Sequence, residues 1–167
     1  LLQAILEKIN TFLLDIPNIP HESTPVGKNE DDNVVVRKHG DILSSNTVDH
    51  LDITSKIDTD LAAKLAGSRF AVLKGDMAKL QRALISLMLD TAIKNGYEEY
   101  YVPFMANKES LTGTGQLPKF EEDLFKTTEN LYLIPTAEVP LTNVHRDTLT
   151  EIGKLPLKLT SHTPCFR

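Results

Sequence analysis

At 167 residues the chain has room for one domain with a core plus an appendage, but two full domains would be cramped. Hydrophobic residues at 41% and charged residues at 25% are ordinary for a soluble globular protein, and no stretch approaches the roughly 18 consecutive apolar residues of a membrane span. The net charge of −5 argues against broad non-specific nucleic-acid binding, and the single cysteine, Cys165, excludes an intramolecular disulfide framework and suits a reducing, cytoplasmic setting.

Leu1, Leu2, Ile5, Leu6, Ile9, Phe12 and Leu13 recur at helical spacing and predict an amphipathic helix over residues 1–15. It must end near Asp15-Ile16, because Pro17 disfavours helical geometry in the residue before it. One strand of an antiparallel coiled coil and a plain surface helix both fit this stripe. The opening residues lack an initiator Met and a basic segment, so they do not read as a signal peptide. With no cap before residue 1 and no turn or polar tail after Cys165-Phe166-Arg167, both ends are expected to be cut. Residues 16–41 form a Pro-rich connector with a solvated acidic turn at Glu30-Asp31-Asp32, and Val34-Val35-Val36 is expected as a short strand.

A short helix is expected from Asp58 or Thr59 to Gly67, a C-cap candidate, followed by a strand over residues 69–75. The strongest element is a helix over residues 76–95, with Asp76 as its cap and Gly96 as its close. Met77, Leu80, Leu84, Leu87, Met88 and Thr91 line one face, while Ala83, Ile85, Leu89, Ala92 and Ile93 make much of the rest apolar. Such a helix needs cover on more than one side: a sheet on one and a second cover, such as another subunit, on the other. An edge strand follows over residues 97–104, with Pro103 near its end. Next come a Gly-rich loop over residues 107–120 and a hairpin around Glu129-Asn130. The segment from Val139 onward predicts a short helix and then a strand over Leu155–Thr160. Helices mixed with hairpins, without regular βαβ alternation, predict an α+β fold with an antiparallel sheet.

Few residues announce chemistry. Gly113-Thr114-Gly115 is only a GxG and does not lead from a strand into a helix, as a dinucleotide fingerprint must. His21, His39, His50, His145 and His162 are scattered without metal-ligand spacing, so no metal site is assigned. Cys165 reads as a buried small hydrophobe rather than an activated nucleophile. Two features stand apart. Arg167 ends an apolar run with the side chain best matched to phosphate or carboxylate. Thr136-Ala137-Glu138 interrupts the apolar run "LYLIPTAEVPLTN" between Pro135 and Pro140, a rigid corner whose hydroxyl and carboxylate could receive a hydroxyl and an ammonium.

The segments "IPNIPHESTPVGKNEDDNVVVR", "GSRFAVLKGDMAKLQRALISLMLD", "GYEEYYVPF", "LTGTGQLPKF", "LYLIPTAEVPLTN" and "SHTPCFR" together resemble bacterial-type seryl-tRNA synthetase, in that order and over essentially the whole chain. The resemblance implies that residues 1–15 end a helical tRNA-binding arm, residues 16–47 are a linker, and residues 48–167 are the first part of a class II catalytic domain. Helix 76–95 with the strand to residue 104 resembles motif 1, the dimerisation element. Thr136, Ala137 and Glu138 match the loop that contacts serine, and Phe166-Arg167 matches the start of motif 2, whose Arg binds the ATP α-phosphate as its catalytic contact. The implied activity is ATP-dependent ligation of L-serine to tRNA(Ser) through a seryl-adenylate, with Mg²⁺ accompanying ATP, by a cytoplasmic homodimer with no membrane association. The motif 2 Glu, motif 3 and most of the arm lie outside these residues, so the chain alone is not expected to complete the reaction. A synthetase-like interaction module without ligase activity, or an amino-acid:carrier-protein ligase, are the alternatives.

Overall fold

The computed structural model describes residues 2–41 and 47–167. Leu1, the first position of the expected helical stripe, and residues 42–46 of the expected linker lie outside the described residues. The chain forms two compact units, Leu1–His50 and Leu51–Arg167.

In the first unit the apolar periodicity gives helix α1, Leu2–Leu14, which buries none of its residues. The helix runs out where Asp15 and Ile16 donate their backbone N–H groups to Phe12 and Leu13, just ahead of Pro17. The expected strand at Val34–Val36 is not formed: its three valines are exposed and pair with no strand among the described residues. β-branched residues favour a strand only when a neighbouring ladder and a face to pack on are supplied. The acidic turn folds as a 3₁₀ turn, Glu30–Asp32, on its own side chains. Asn29 accepts the Asp31 N–H at 2.9 Å and Asp32 accepts the Lys28 N–H at 2.7 Å.

In the second unit β1, Ile57–Asp58, pairs antiparallel with β2, Val72–Leu73, around helix α2, Thr59–Leu65. Asp58 caps α2 through the Leu61 N–H at 2.8 Å and takes Lys74 Nζ at 2.8 Å. The Lys74 hydrogen bond, followed by the Leu61 N–H, holds the Asp58 carboxyl below the usual carboxylate range. Gly67 follows the helix at φ 120°, the left-handed closing position expected of it. The predicted strand over residues 69–75 is confined to its middle, because only Val72 and Leu73 meet a partner.

Helix α3, Asp76–Lys94, occupies the predicted span, but Asp76 is not its cap. Gly75 holds that position at φ 56° with no side-chain bond, and Asp76 sits in the first turn with Lys56 Nζ at 2.6 Å. A carboxylate there still complements the helix N-terminus. Tyr97 N–H reaches the Ala92 carbonyl and Gly96 N–H the Ile93 carbonyl, a Schellman close around Gly96 at φ 81°. Met77, Ala78, Ile85, Leu89 and Ala92 form the half-buried side, while Leu80, Leu84, Leu87 and Met88 stay exposed.

The expected edge strand over residues 97–104 is cut to β3, Glu98–Glu99. It runs parallel to β6, Leu159–Thr160, the surviving end of the strand predicted over residues 155–160. Pro103 and Pro156 supply no ladder N–H, which shortens both. Beyond Pro103, β4, Met105–Ala106, pairs antiparallel with β5, Tyr132–Leu133. In place of the single antiparallel sheet expected, the described residues form three two-stranded sheets, two antiparallel and one parallel. The hairpin forms as predicted around Thr127–Asn130, with Asn130 at φ 59°. The Gly-rich loop, by contrast, opens with helix α4, Lys108–Gly113, capped by Asn107 through the Ser110 N–H at 2.9 Å. Helix α5, Glu138–Asn143, tolerates Pro140 because it lies in the first turn, where no N–H is needed.

The core of this unit gathers Ala106, Leu111, Leu117, Tyr132, Ile134 and Val139, from β4, α4, β5, α5 and the segments between them. Tyr132 is 2% exposed, and its hydroxyl donates to Glu121 Oε1 at 2.9 Å, the oxygen that also takes Lys126 Nζ at 3.0 Å. The Lys126 bond first, and then the Tyr132 hydroxyl, hold the Glu121 carboxyl below its usual range. Because the folded-state value is the lower one, this stabilisation is present above the ordinary carboxylate range. It is lost as the pH falls through that range toward the depressed value. Glu121→Gln should therefore flatten the acid limb of the stability curve. Thermal unfolding of both proteins between about pH 7 and about pH 3 checks this, and parallel curves would remove Glu121 from the acid response.

Candidate active site

Ile134 brings the site together. Its backbone N–H donates to the Phe104 carbonyl at 2.9 Å, extending the β4–β5 pairing by one residue, and its carbonyl accepts the Phe166 N–H at 2.9 Å. The second bond sets Phe166-Arg167 against the end of β5, where Pro135 and Thr136 follow. Thr136 and Arg167 consequently line one cleft of about 140 Å³, together with Gln116, Phe120, Asp123 and Leu124. Arg167, Asp123 and Leu124 also line an adjoining cavity of about 300 Å³, which adds Arg69, Glu122 and the rings of Phe70 and Phe125. Those two rings stand 6.4 Å apart and tilted by 56°. None of the ion pairs among the described residues uses Arg167, which lines both cavities.

The fenced triplet is a helix entrance. Thr136 is half-buried, its Oγ1 accepts the Glu138 N–H at 3.3 Å, and its carbonyl accepts the Val139 N–H at 3.3 Å. Ala137 accepts the Leu141 N–H at 3.1 Å, so the triplet is held by the first turn of α5. Glu138, the first residue of α5, is exposed and lines a different groove beside Leu141, Thr142, Leu159, Thr160 and Ser161. The structure thus brings Thr136 to Arg167 but not Glu138, and Ala137 lines neither cleft. The split falls at the start of the helix: Thr136 precedes α5, whereas Glu138 is its first residue.

Gln116, Asp123 and Arg69 were not singled out in the sequence. Gln116 closes the Gly-rich segment, where Gly115 takes φ 78° and the Gln116 N–H returns to the Leu111 carbonyl at 2.9 Å. The paired glycines marked that segment, but nothing local marked Asp123 or Arg69. Cys165 departs from expectation: it is an exposed free cysteine whose Sγ lies 3.9 Å from Thr163 Oγ1 and 3.8 Å from the Thr163 carbonyl oxygen. Among the described residues no three or more His, Cys, Asp or Glu side chains converge on a place that could hold a metal ion.

No protein-family model matches the chain. Curated proteins do. The serine–tRNA ligase of Hydrogenovibrio crunogenus is 53% identical over 98% of the chain, and that of Thermodesulfovibrio yellowstonii is 51% identical over 99%. The chain spans about two-fifths of the length of these relatives, 42% and 41%. Among solved structures, the seryl-tRNA synthetase of Pyrococcus horikoshii, complexed with ATP, superposes with a TM-score of 0.82 at 33% identity, over 99% of this chain and 43% of that one. The cytoplasmic serine–tRNA ligase of Naegleria fowleri, in complex with AMP, gives 0.84 at 32% identity, over 99% and 41%. Half-identical to the curated ligases over nearly the whole of its own length and alike in fold to two solved examples, the chain is similar throughout to a part, about two-fifths, of the seryl-tRNA synthetases.

Proposed function

We propose that this chain supplies the serine-recognition triplet and a phosphate-binding arginine for the ATP-dependent ligation of L-serine to tRNA(Ser). The observation that carries the reading is the shared cleft of Thr136 and Arg167, built by the Phe166–Ile134 hydrogen bond. In this reading a serine carboxylate oxygen attacks the α-phosphorus of ATP. A new P–O bond forms, the bond to the leaving phosphate breaks, and seryl-adenylate and pyrophosphate result. The seryl group then passes to a hydroxyl at the tRNA 3′ end and AMP leaves. ATP and AMP are the nucleotides reported with the two solved relatives.

Arg167 takes the α-phosphate and stabilises the charge that develops on its oxygens. Thr136 meets serine from the cleft it shares with Arg167, while Ala137 and Glu138 are assigned to serine by their match to the serine-contacting loop, with Glu138 pairing with the ammonium although here it lines a different groove. Pro135 and Pro140 keep the ordering cost of the triplet low. Mg²⁺ enters this reading as the companion of ATP, and no step is assigned to it. Residues 1–15 are read as the end of the tRNA-binding arm, residues 16–47 as a linker and residues 48–167 as the first part of the class II catalytic domain. The exposed face of α3, with the strand to residue 104, is read as the homodimer contact. No helix among the described residues is long and apolar enough to cross a membrane. The single free thiol fits work in the reducing cytoplasm.

Three measurements on the full-length protein test this. Arg167→Ala should reduce serine-dependent ATP–pyrophosphate exchange by at least roughly 10²-fold, the scale for removing a transition-state donor, and near-normal exchange would make Arg167 structural. Glu138→Gln keeps shape and removes charge, so serine affinity should fall roughly 10- to 150-fold while ATP affinity stays. Thr136→Val should weaken serine by less, because it deletes a neutral hydrogen bond, and separate calorimetric titrations with serine and ATP decide both. For the dimer, light scattering should give twice the chain mass, and Leu84→Glu with Met88→Glu should reduce it to the monomer. A monomeric parent protein would dismiss the α3 contact.

A further inference from the structure

We propose that Asn143 is a positioning residue that fixes the serine-binding triplet, an inference that rests on the reading of Thr136–Glu138 given above. Asn143 ends the same helix that the triplet begins. Its Nδ2 donates to two carbonyls at once, that of Val139 in its own helix at 2.8 Å and that of Ser110 in α4 at 2.9 Å. Its Oδ1 accepts from Arg146 Nη1 at 3.1 Å, and the same Nη1 reaches Ser110 Oγ at 3.3 Å. The reversed amide would set an oxygen against two carbonyl oxygens and an NH₂ against a guanidinium, so the partners fix its orientation.

Gly113 closes the other side. A Cβ there would stand 3.0 Å from Asn143 Oδ1 and 3.7 Å from its Cγ. Unlike Gly115, Gly113 does not hold a positive φ, so it is glycine for close approach to Asn143 and not for backbone freedom. The chain continues from α4 through Thr114 and Gly115 to Gln116, which shares the cleft with Thr136 and Arg167. One side chain therefore ties the helix that starts at the triplet to the turn that supplies Gln116. Leu111 and Val139, both 0% exposed, pack in the same core beneath this tie, so a slip of α5 along α4 would disturb both walls of the cleft. Misplacements of about 1 Å far from the reacting atoms can cost roughly 10²-fold in rate.

The test uses the full-length protein. Asn143→Asp is isosteric and keeps an acceptor for Arg146, but it turns a carboxylate onto the Ser110 and Val139 carbonyls. The serine KM in pyrophosphate exchange should rise roughly ten- to a hundredfold, with the ATP KM held within about twofold. Gly113→Ala, pressing on Asn143 from the other side, should move the serine KM in the same direction by less. Amide hydrogen exchange gives a readout independent of activity: residues 136–141 should exchange faster in Asn143→Asp while β1 and β2 keep their protection. Equal changes in both KM values with protection lost throughout would make Asn143 a general stability residue and overturn the proposal, as would unchanged serine KM and unchanged exchange. A parent protein without serine-dependent exchange would sink the ligase reading, and the amide protection of residues 136–141 would then decide the tie by itself, faster exchange upholding it and unchanged exchange overturning it.

Discussion

The backbone of Ile134 joins three stretches that lie far apart in the chain. Its N–H meets Phe104 and its carbonyl meets Phe166, while its side chain is wholly buried in the core. A buried backbone polar group without a partner is costly, so both bonds are obligatory once the side chain is inside. The rest of the site follows from them. The first bond aligns β5 on β4 and sets the direction in which Pro135 and Thr136 leave the sheet. The second brings Arg167 to that exit.

Around this point the packing is shared among short elements. α4 and α5 have six residues each, too short to persist alone in water, and they stand because Leu111 and Val139 are buried between them and the β4–β5 ladder. Polar bonds fix their register: Asn107 caps α4, the Thr136 hydroxyl opens α5, and the Asn143 amide ties one to the other. Tyr132 extends the arrangement outward, its ring in the core and its hydroxyl on Glu121. The side chains that line the cleft are thereby carried on elements whose ends are held. α1 and the outer face of α3 contrast with this. They expose apolar rows that nothing within their own units covers.

The sequence disclosed the elements that local physics controls. The boundaries of α1, α2 and α3, the Gly67 and Gly96 closes and the turn at Asn130 each follow from apolar spacing, a proline or a left-handed position. The elements it misjudged depend on partners. Val34–Val36 has strand-forming residues and no ladder; the parallel pairing of Glu98–Glu99 with Leu159–Thr160 joins segments 61 residues apart at both register positions (159 − 98 and 160 − 99). The cap of α3 is Gly75, at φ 56°, and Asp76 lies in the first turn beside Lys56. Cys165, expected inside, lies exposed, since a small apolar side chain in an irregular segment carries no local sign of what will cover it.

For the candidate site, residue types and their order were enough to single out Thr136, Ala137, Glu138 and Arg167, and with the neighbouring segments to bring out the likeness to the seryl-tRNA synthetases. A hydroxyl and a carboxylate between two prolines, and an arginine after an apolar run, are local facts. Which of them face one another is not local. Tertiary structure alone decided that Thr136 and Arg167 share a cleft, that Gln116 and Asp123 join them, and that Glu138 looks onto another groove. The first two outcomes depend on a hydrogen bond between residues 134 and 166, and the third on the helical turn that α5 adopts only once Val139 is buried. Long-range pairing and burial are collective properties of the folded chain, and no window of the sequence contains both partners.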